Sequence, residues 1–219
     1  MSFPVHWQGK PLKTPAGNEL CVPAQALAEA IEAEWAVVKA APQRGQIPLT
    51  QYSNTAIDHV APAREGALRG WLSHAETDLL CYRAGEPLPL KQRQEAVWQP
   101  LLDWVQDETG AKMAVLAGVM PQPQPTEAIA ALRRMAEKLD DFHLMALAQA
   151  GGLLGSAVLA LALVRGRVDV TGALAAALLD EIFQSEQWGE PEELTRRRDD
   201  LTRELTELHR FLCLLREKV

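Results

Sequence analysis

The chain has little of what nucleic-acid-binding, secreted or catalytic sequences usually carry. Cysteine amounts to three residues in 219, Cys21, Cys81 and Cys213, far apart and without a CxxC pair. That spacing argues against a disulfide framework or a zinc site and points to a reducing compartment. Basic residues are outnumbered, 22 Lys and Arg against 29 Asp and Glu, for a formal charge of −7. The footprint needed to neutralise phosphates is missing, so nucleic acid is not expected as a partner. Arg196, Arg197 and Arg198 do not supply it, because Asp199 and Asp200 follow at once, the pattern of a solvated helix face. The opening MSFPVHWQGK holds neither an apolar signal core nor an Arg/Ser-rich leader, which predicts a bacterial cytoplasmic protein; a mature mitochondrial matrix protein fits equally.

Catalytic signatures are scarce too. GGLLGS, 151–156, has the glycines of a phosphate loop without its lysine, and Ser156 lies in no GxSxG elbow. Those glycines are expected to be small contacts between close helices. His6, His59, His74, His143 and His209 form no HxH, HExxH or ExxH pair, so neither a metal nor another cofactor is expected. His143, beginning an apolar run, is expected to be a satisfied structural histidine.

What is present is enough apolar material for a real core, 47% of residues. The first sixty residues mix strand and helix signals. PVHWQGKPLKT predicts a hairpin turning near Gln8 and Gly9, and 19–22 a short strand. A helix from about Pro23 presents Leu27, Ile31, Trp35 and Val38 as one stripe, with Glu29, Glu32 and Glu34 away from it; Trp35 is thus a core anchor. One or two helical turns should end before Pro62, followed by a helix over 63–75, a strand over 79–83, and an amphipathic helix that Pro100 kinks or divides.

From about Thr126 the pattern is helical throughout. FHLMALAQAGGLLGSAVLALALV, 142–164, has no charged residue and a GxxxG spacing, so its length would allow a membrane span. Its internal His143, Gln149 and Ser156, with Asp141 before it and Arg165-Gly166 after it, favour a buried central helix instead. A helix over 170–188 ends at Gly189, and a final helix carries a leucine seam from Leu194 to Leu215, with Arg198 in an inward slot. The fold class is α+β: a small N-terminal α+β domain, 1–61, then a larger, mostly α-helical, orthogonal bundle-like domain, 62–219. A monomer is expected, and the short strands near 79–83 fit either domain.

One stretch, LLDEIFQSEQWGE at 178–190, concentrates carboxylates, amides and a tryptophan. Leu174, Leu178, Leu179, Ile182 and Phe183 share a broad helical face into which Glu186 projects, so its carboxylate must pair, reach solvent or hold a proton. Glu181, Gln184, Ser185 and Trp188 fall at i, i+3, i+4 and i+7, forming a stripe along that face's edge. Such a stripe suits a recognition surface and equally a plain solvated flank. An acid–base enzyme using Glu181 or Glu186 in an interdomain cleft is the competing reading.

Several ordered strings together carry a family resemblance: GKPLKTPAGN (9–18), AEAIEAEW (28–35), NTAID (54–58), DLLCYRA (78–84), PLLDW (100–104) and DEIFQSEQWG (180–189). The chain resembles the assembly chaperones acting on the α subunit of the ATP synthase catalytic sector, the Atp-twelve-type family of mitochondria and α-proteobacteria. The resemblance implies a non-enzymatic chaperone that shields the free α subunit until the hexamer assembles, without ATP hydrolysis. It marks Glu181 as functionally important and makes Gln184, Ser185 and Trp188 candidates for the same client surface; Trp35, Asn54 and Asp58 are expected to be structural. Two departures are notable. Relatives carry an extra strand before GKPLKTP, so an open sheet edge is expected here, and they carry Asp where Gln99 offers a poorer cap for a helix starting at Pro100.

Overall fold

The computed structural model describes residues 2–38, 45–117, 122–189 and 191–216. Short strands open the chain and pair among themselves. β1 (Phe3–Pro4) runs antiparallel to β4 (Cys21–Val22), β2 (His6–Trp7) antiparallel to β3 (Lys10–Pro11), and Lys13 bridges to Glu19. At their centre Val5 donates its N–H to Leu20, Leu20 to Leu12, and Leu12 back to Val5, each at 2.9 Å. This ring gives each of the three segments a partner on both sides at its midpoint, where an open edge was expected. The β2–β3 turn places Gln8 at φ 50° and Gly9 at φ 75°, the left-handed pair that a tight two-residue hairpin needs.

Helix α1 (Gln25–Ala36) buries Leu27, Ala28 and Ile31 as the stripe predicts. Trp35 is only half-buried; it packs against the core, donates from Nε1 to Thr50 Oγ1 at 3.2 Å, and tilts against the Trp7 ring. Glu34 departs from its expected outward position and is buried. Its carboxylate accepts from Leu49 N–H, Thr50 N–H and Thr50 Oγ1 at 2.8, 3.0 and 2.8 Å. It thereby caps α2 (Pro48–Thr55), whose own N-cap residue, Ile47, has no side-chain acceptor. Burial pushes the Glu34 pKa up, against the pull of those donors.

The helical run does not stop before Pro62. It passes through a π-helical turn (Ala56–Val60) and a 3-10 turn (Ala61–Ala63) directly into α3 (Arg64–Glu76). Changes of helical pitch accommodate a residue with no N–H to donate. Asp58, on the π turn, accepts from Thr14 Oγ1, Asn18 Nδ2 and Ala16 N–H at 2.7, 2.8 and 3.0 Å, tying the loop after β3 to this run. Desolvation pushes its pKa up, but these hydrogen bonds outweigh it and hold the carboxyl below the usual range. Asn54 is half-buried on α2, and its Oδ1 has no hydrogen-bond partner among the described residues.

Only β5 (Tyr82–Arg83) of the expected 79–83 strand is extended, because Leu79–Cys81 forms a 3-10 turn capped by Asp78; β5 pairs in parallel with β6 (Leu116–Ala117). Between them α4 (Leu88–Thr109) continues through Pro100 as one helix. Gln99 is therefore mid-helix rather than a cap, accepting from Arg83 and donating to Asp103.

After α5 (Thr126–Ala136), the apolar stretch 142–164 divides into α6 (Asp141–Leu154) and α7 (Ala157–Arg165). Gly155, at φ 63°, ends α6, and Ser156 Oγ caps α7 by accepting from Leu159 N–H at 3.0 Å. No helix among the described residues is long and apolar enough to cross a membrane. α7 is buried from Ala157 to Val164 at the centre of the molecule. Gly151 is a close-contact glycine as expected: a Cβ there would come within 3.0 Å of Trp71 and 3.2 Å of His74. Gly152 and Gly155 face open space, so close approach does not explain them. Asp140, rather than Asp141, caps α6, accepting from Phe142 and His143 N–H; it also bonds the half-buried His143 ring at 2.8 Å. Asp141 instead pairs with Arg64.

The fully buried Asp78 accepts from Ser156 Oγ at 2.7 Å, Val158 N–H at 3.0 Å and Leu80 N–H at 3.1 Å, joining the turn before β5 to the N-terminus of α7. Burial pushes its pKa up to about 6 despite these donors. The expected helix over 170–188 is two, α8 (Val170–Ala177) and α9 (Leu179–Trp188), separated at Leu178. Last, α10 (Glu192–Arg216) packs Leu205, Leu208, Phe211 and Leu212 inward against α1, α2, α6 and α8.

Candidate functional site

Helix α9 begins with Asp180 and Glu181 in its first turn, where carboxylates favour exposed helical N–H groups, and ends at Gly189, φ 85°, whose N–H bonds Ser185 O. The break at Leu178 removes Leu174 from its apolar face. Leu179 is buried, while Ile182 and Phe183 are half-buried. The helix rests shallowly on the body, and polar contacts on two sides hold it.

On the α4 side, Gln94 Nε2 donates to Asp180 at 2.8 Å, and Gln94 is itself buried. Arg93 donates to Glu186 at 2.9 Å while its guanidinium lies over the Phe183 ring, 5.4 Å from the centroid. Of the outcomes open to Glu186, pairing is realised, and the Arg93 hydrogen bond holds its carboxyl below the usual range. A general acid near neutrality needs the opposite shift, so the enzyme reading gains nothing from this residue.

On the α10 side, Arg197 Nη1 donates to Glu181 Oε1 at 3.2 Å, with the two side chains 66% and 40% exposed. Leu178, Glu181, Ile182, Ser185, Leu194 and Arg198 line a dent of about 20 Å³ between the helices, room for a single small group. The predicted stripe is thus divided: Glu181 and Ser185 border the dent, while Gln184 and Trp188 project into solvent. Trp188 is 73% exposed, among the most open large apolar side chains of the chain. Glu190 lies outside the described residues. Arg93, Gln94 and Arg197 reach α9 from separate segments, so no spacing within the chain announces them. Among the described residues no group of three or more His, Cys, Asp and Glu side chains could hold a metal.

A sequence model of the family described as ATP12 chaperone protein matches residues 1–106. The crystal structure of Atp12 from Paracoccus denitrificans superposes with a TM-score of 0.90 at 38% identity, over 95% of this chain and 89% of that one. The chain belongs to the ATP12 chaperone family. A lysine-for-aspartate mutant of the Paracoccus Atp12p matches alike, with a TM-score of 0.90 at 37% identity over 94% of this chain and 88% of that one. A protein of Agrobacterium tumefaciens matches with 0.88 at 40% identity, over 95% and 78%. Membership in the ATP12 family makes this a chaperone rather than an enzyme, and its small strand-containing N-terminal region followed by a larger helical region is the arrangement of the Atp12 structures.

Proposed function

We propose that the chain is an assembly chaperone for the free α subunit of the ATP synthase catalytic sector, acting as a monomer in a bacterial cytoplasm, and that it holds its client along α9. The exposed Trp188, at the end of the helix that carries Glu181, is the observation that carries this reading. An indole is the kind of side chain on which binding energy concentrates once it is covered, and in the free protein little covers it. Glu181, Gln184 and Ser185 supply hydrogen-bonding groups beside it. A surface confined to one short helix must yield when a larger subunit interface competes, which is what handing over a client requires.

The test is binding of the isolated α subunit, followed by light scattering of the α subunit as it aggregates. The wild-type protein should form a complex at low salt and suppress the scattering. Glu181→Lys should melt within about 2 kcal/mol of wild type, since it reverses an exposed ion pair and a first-turn charge without touching the core, and should lose the complex. A soluble α subunit that forms no complex with the wild-type protein would sink the proposal.

A further inference from the structure

Charge is unevenly distributed along this chain. Between residues 180 and 200 there are eight acids (180, 181, 186, 190, 192, 193, 199 and 200) against the bases 196, 197 and 198, a net of −5 out of the whole chain's −7. The acidic excess therefore falls largely in the stretch of sequence that carries α9, Trp188 and the start of α10.

Within this region the carboxylates are not equally committed. Asp180 is held by buried Gln94, and Glu186 by an arginine that is itself stacked on Phe183. Glu192 is paired with Arg196 four residues along the same helix. Among the described residues Glu181 has an ion pair at 3.2 Å with Arg197, whose side chain is two-thirds exposed. Among the described residues Arg197 makes no other ion pair, and releasing it costs little, because exposed pairs of this kind are worth about 1 kcal/mol or less. A carboxylate covered by a partner must keep a cation or a set of hydrogen-bond donors, since an unpaired charge at a dry interface is strongly unfavourable.

From these features we infer that α9 takes a basic client segment, in which a lysine or arginine replaces Arg197 at Glu181 while a neighbouring apolar side chain covers Trp188. This rests on the assignment of α9 as the client surface and adds the chemistry of what binds there. Arg197 is then a displaceable occupant, a positioning residue that keeps Glu181 neutralised until the client arrives. With Arg93 and Arg203, which pair with Glu186 and Asp200, included, the net charge is −3, which favours a basic segment over an acidic one and speeds its encounter.

Binding of the isolated α subunit to variants, at several salt concentrations, tests the inference. Arg197→Ala should bind tighter by about fivefold, the free energy of one exposed pair returned to the complex. Arg196→Ala removes the same charge one residue away and should give a smaller gain. In a Glu181→Gln background the Arg197→Ala gain should vanish, and wild-type affinity should fall as salt rises. Weaker binding of Arg197→Ala would overturn the inference, since it would make the arginine itself a client contact; so would an Arg196→Ala gain equal to that of Arg197→Ala, or an affinity indifferent to salt. Absence of any wild-type complex would instead count against α9 as the α-subunit surface. Unchanged thermal unfolding of each variant separates these outcomes from misfolding.

Discussion

The carboxylates at the centre of the molecule and those at its α9–α10 edge solve different problems with the same functional group. Asp78 and Glu34 each accept from three protein donors, mostly backbone N–H groups at the start of a helix, and burial raises the pKa of both. Glu181 and Glu186 each face one arginine in solvent. The first arrangement fixes where α7 and α2 begin and would leave several groups unsatisfied if lost. The second leaves each acid with a partner that can be exchanged. Acids saturated by fixed donors organise a fold, whereas acids with one mobile counter-ion remain available to another molecule.

The largest expected test of this contrast is Asp78→Ala, which strands Ser156 Oγ and two backbone N–H groups in the core. Urea unfolding should show a loss of about 3–5 kcal/mol. Trp35→Arg should follow, at about 3 kcal/mol by the same measurement, through lost packing and a charge set against Trp7 and Thr50. The pH profile comes next. With Asp78 at about 6 in the fold against its ordinary 3.8, its contribution is fully present below pH 4 and is lost as pH rises through 6. The contribution is on the order of 3 kcal/mol for this fully buried group. Glu34, also raised, acts in the same direction, whereas the depressed Glu186 and Asp58 contribute stability that is lost as pH falls through their folded values. Asp78→Asn should remove the loss between pH 4 and 6, as followed by chemical unfolding at fixed pH steps. Smallest of all, Trp188→Ala should change unfolding by no more than about 0.5 kcal/mol.

Local chemistry is what the sequence made legible. Gln8-Gly9 announced its hairpin because glycine readily takes the positive φ that a tight two-residue turn calls for, and the α1 stripe identified Leu27 and Ile31 as buried. The division of 142–164 was signalled by Gly155-Ser156, a left-handed stop followed by a capping hydroxyl, but the apolar run around them masked it. The break at Leu178 has no glycine, proline or cap to mark it, and Pro62 suggested an end where π and 3-10 turns carry the chain onward. Glu34 looked solvent-facing because the helix that requires its carboxylate begins some fifteen residues later. At the candidate site the stripe of Glu181, Gln184, Ser185 and Trp188 could be written from spacing alone. Its counter-ions could not, since Arg93 and Arg197 meet α9 only through tertiary packing.

The ring of backbone hydrogen bonds through Val5, Leu20 and Leu12 ties three remote points of the N-terminal region into one unit. Each of these amides can be released to solvent only by parting two segments that the third also holds. Their exchange with deuterium should therefore occur in a single opening event, with one shared rate, although fifteen residues of sequence separate the first from the last.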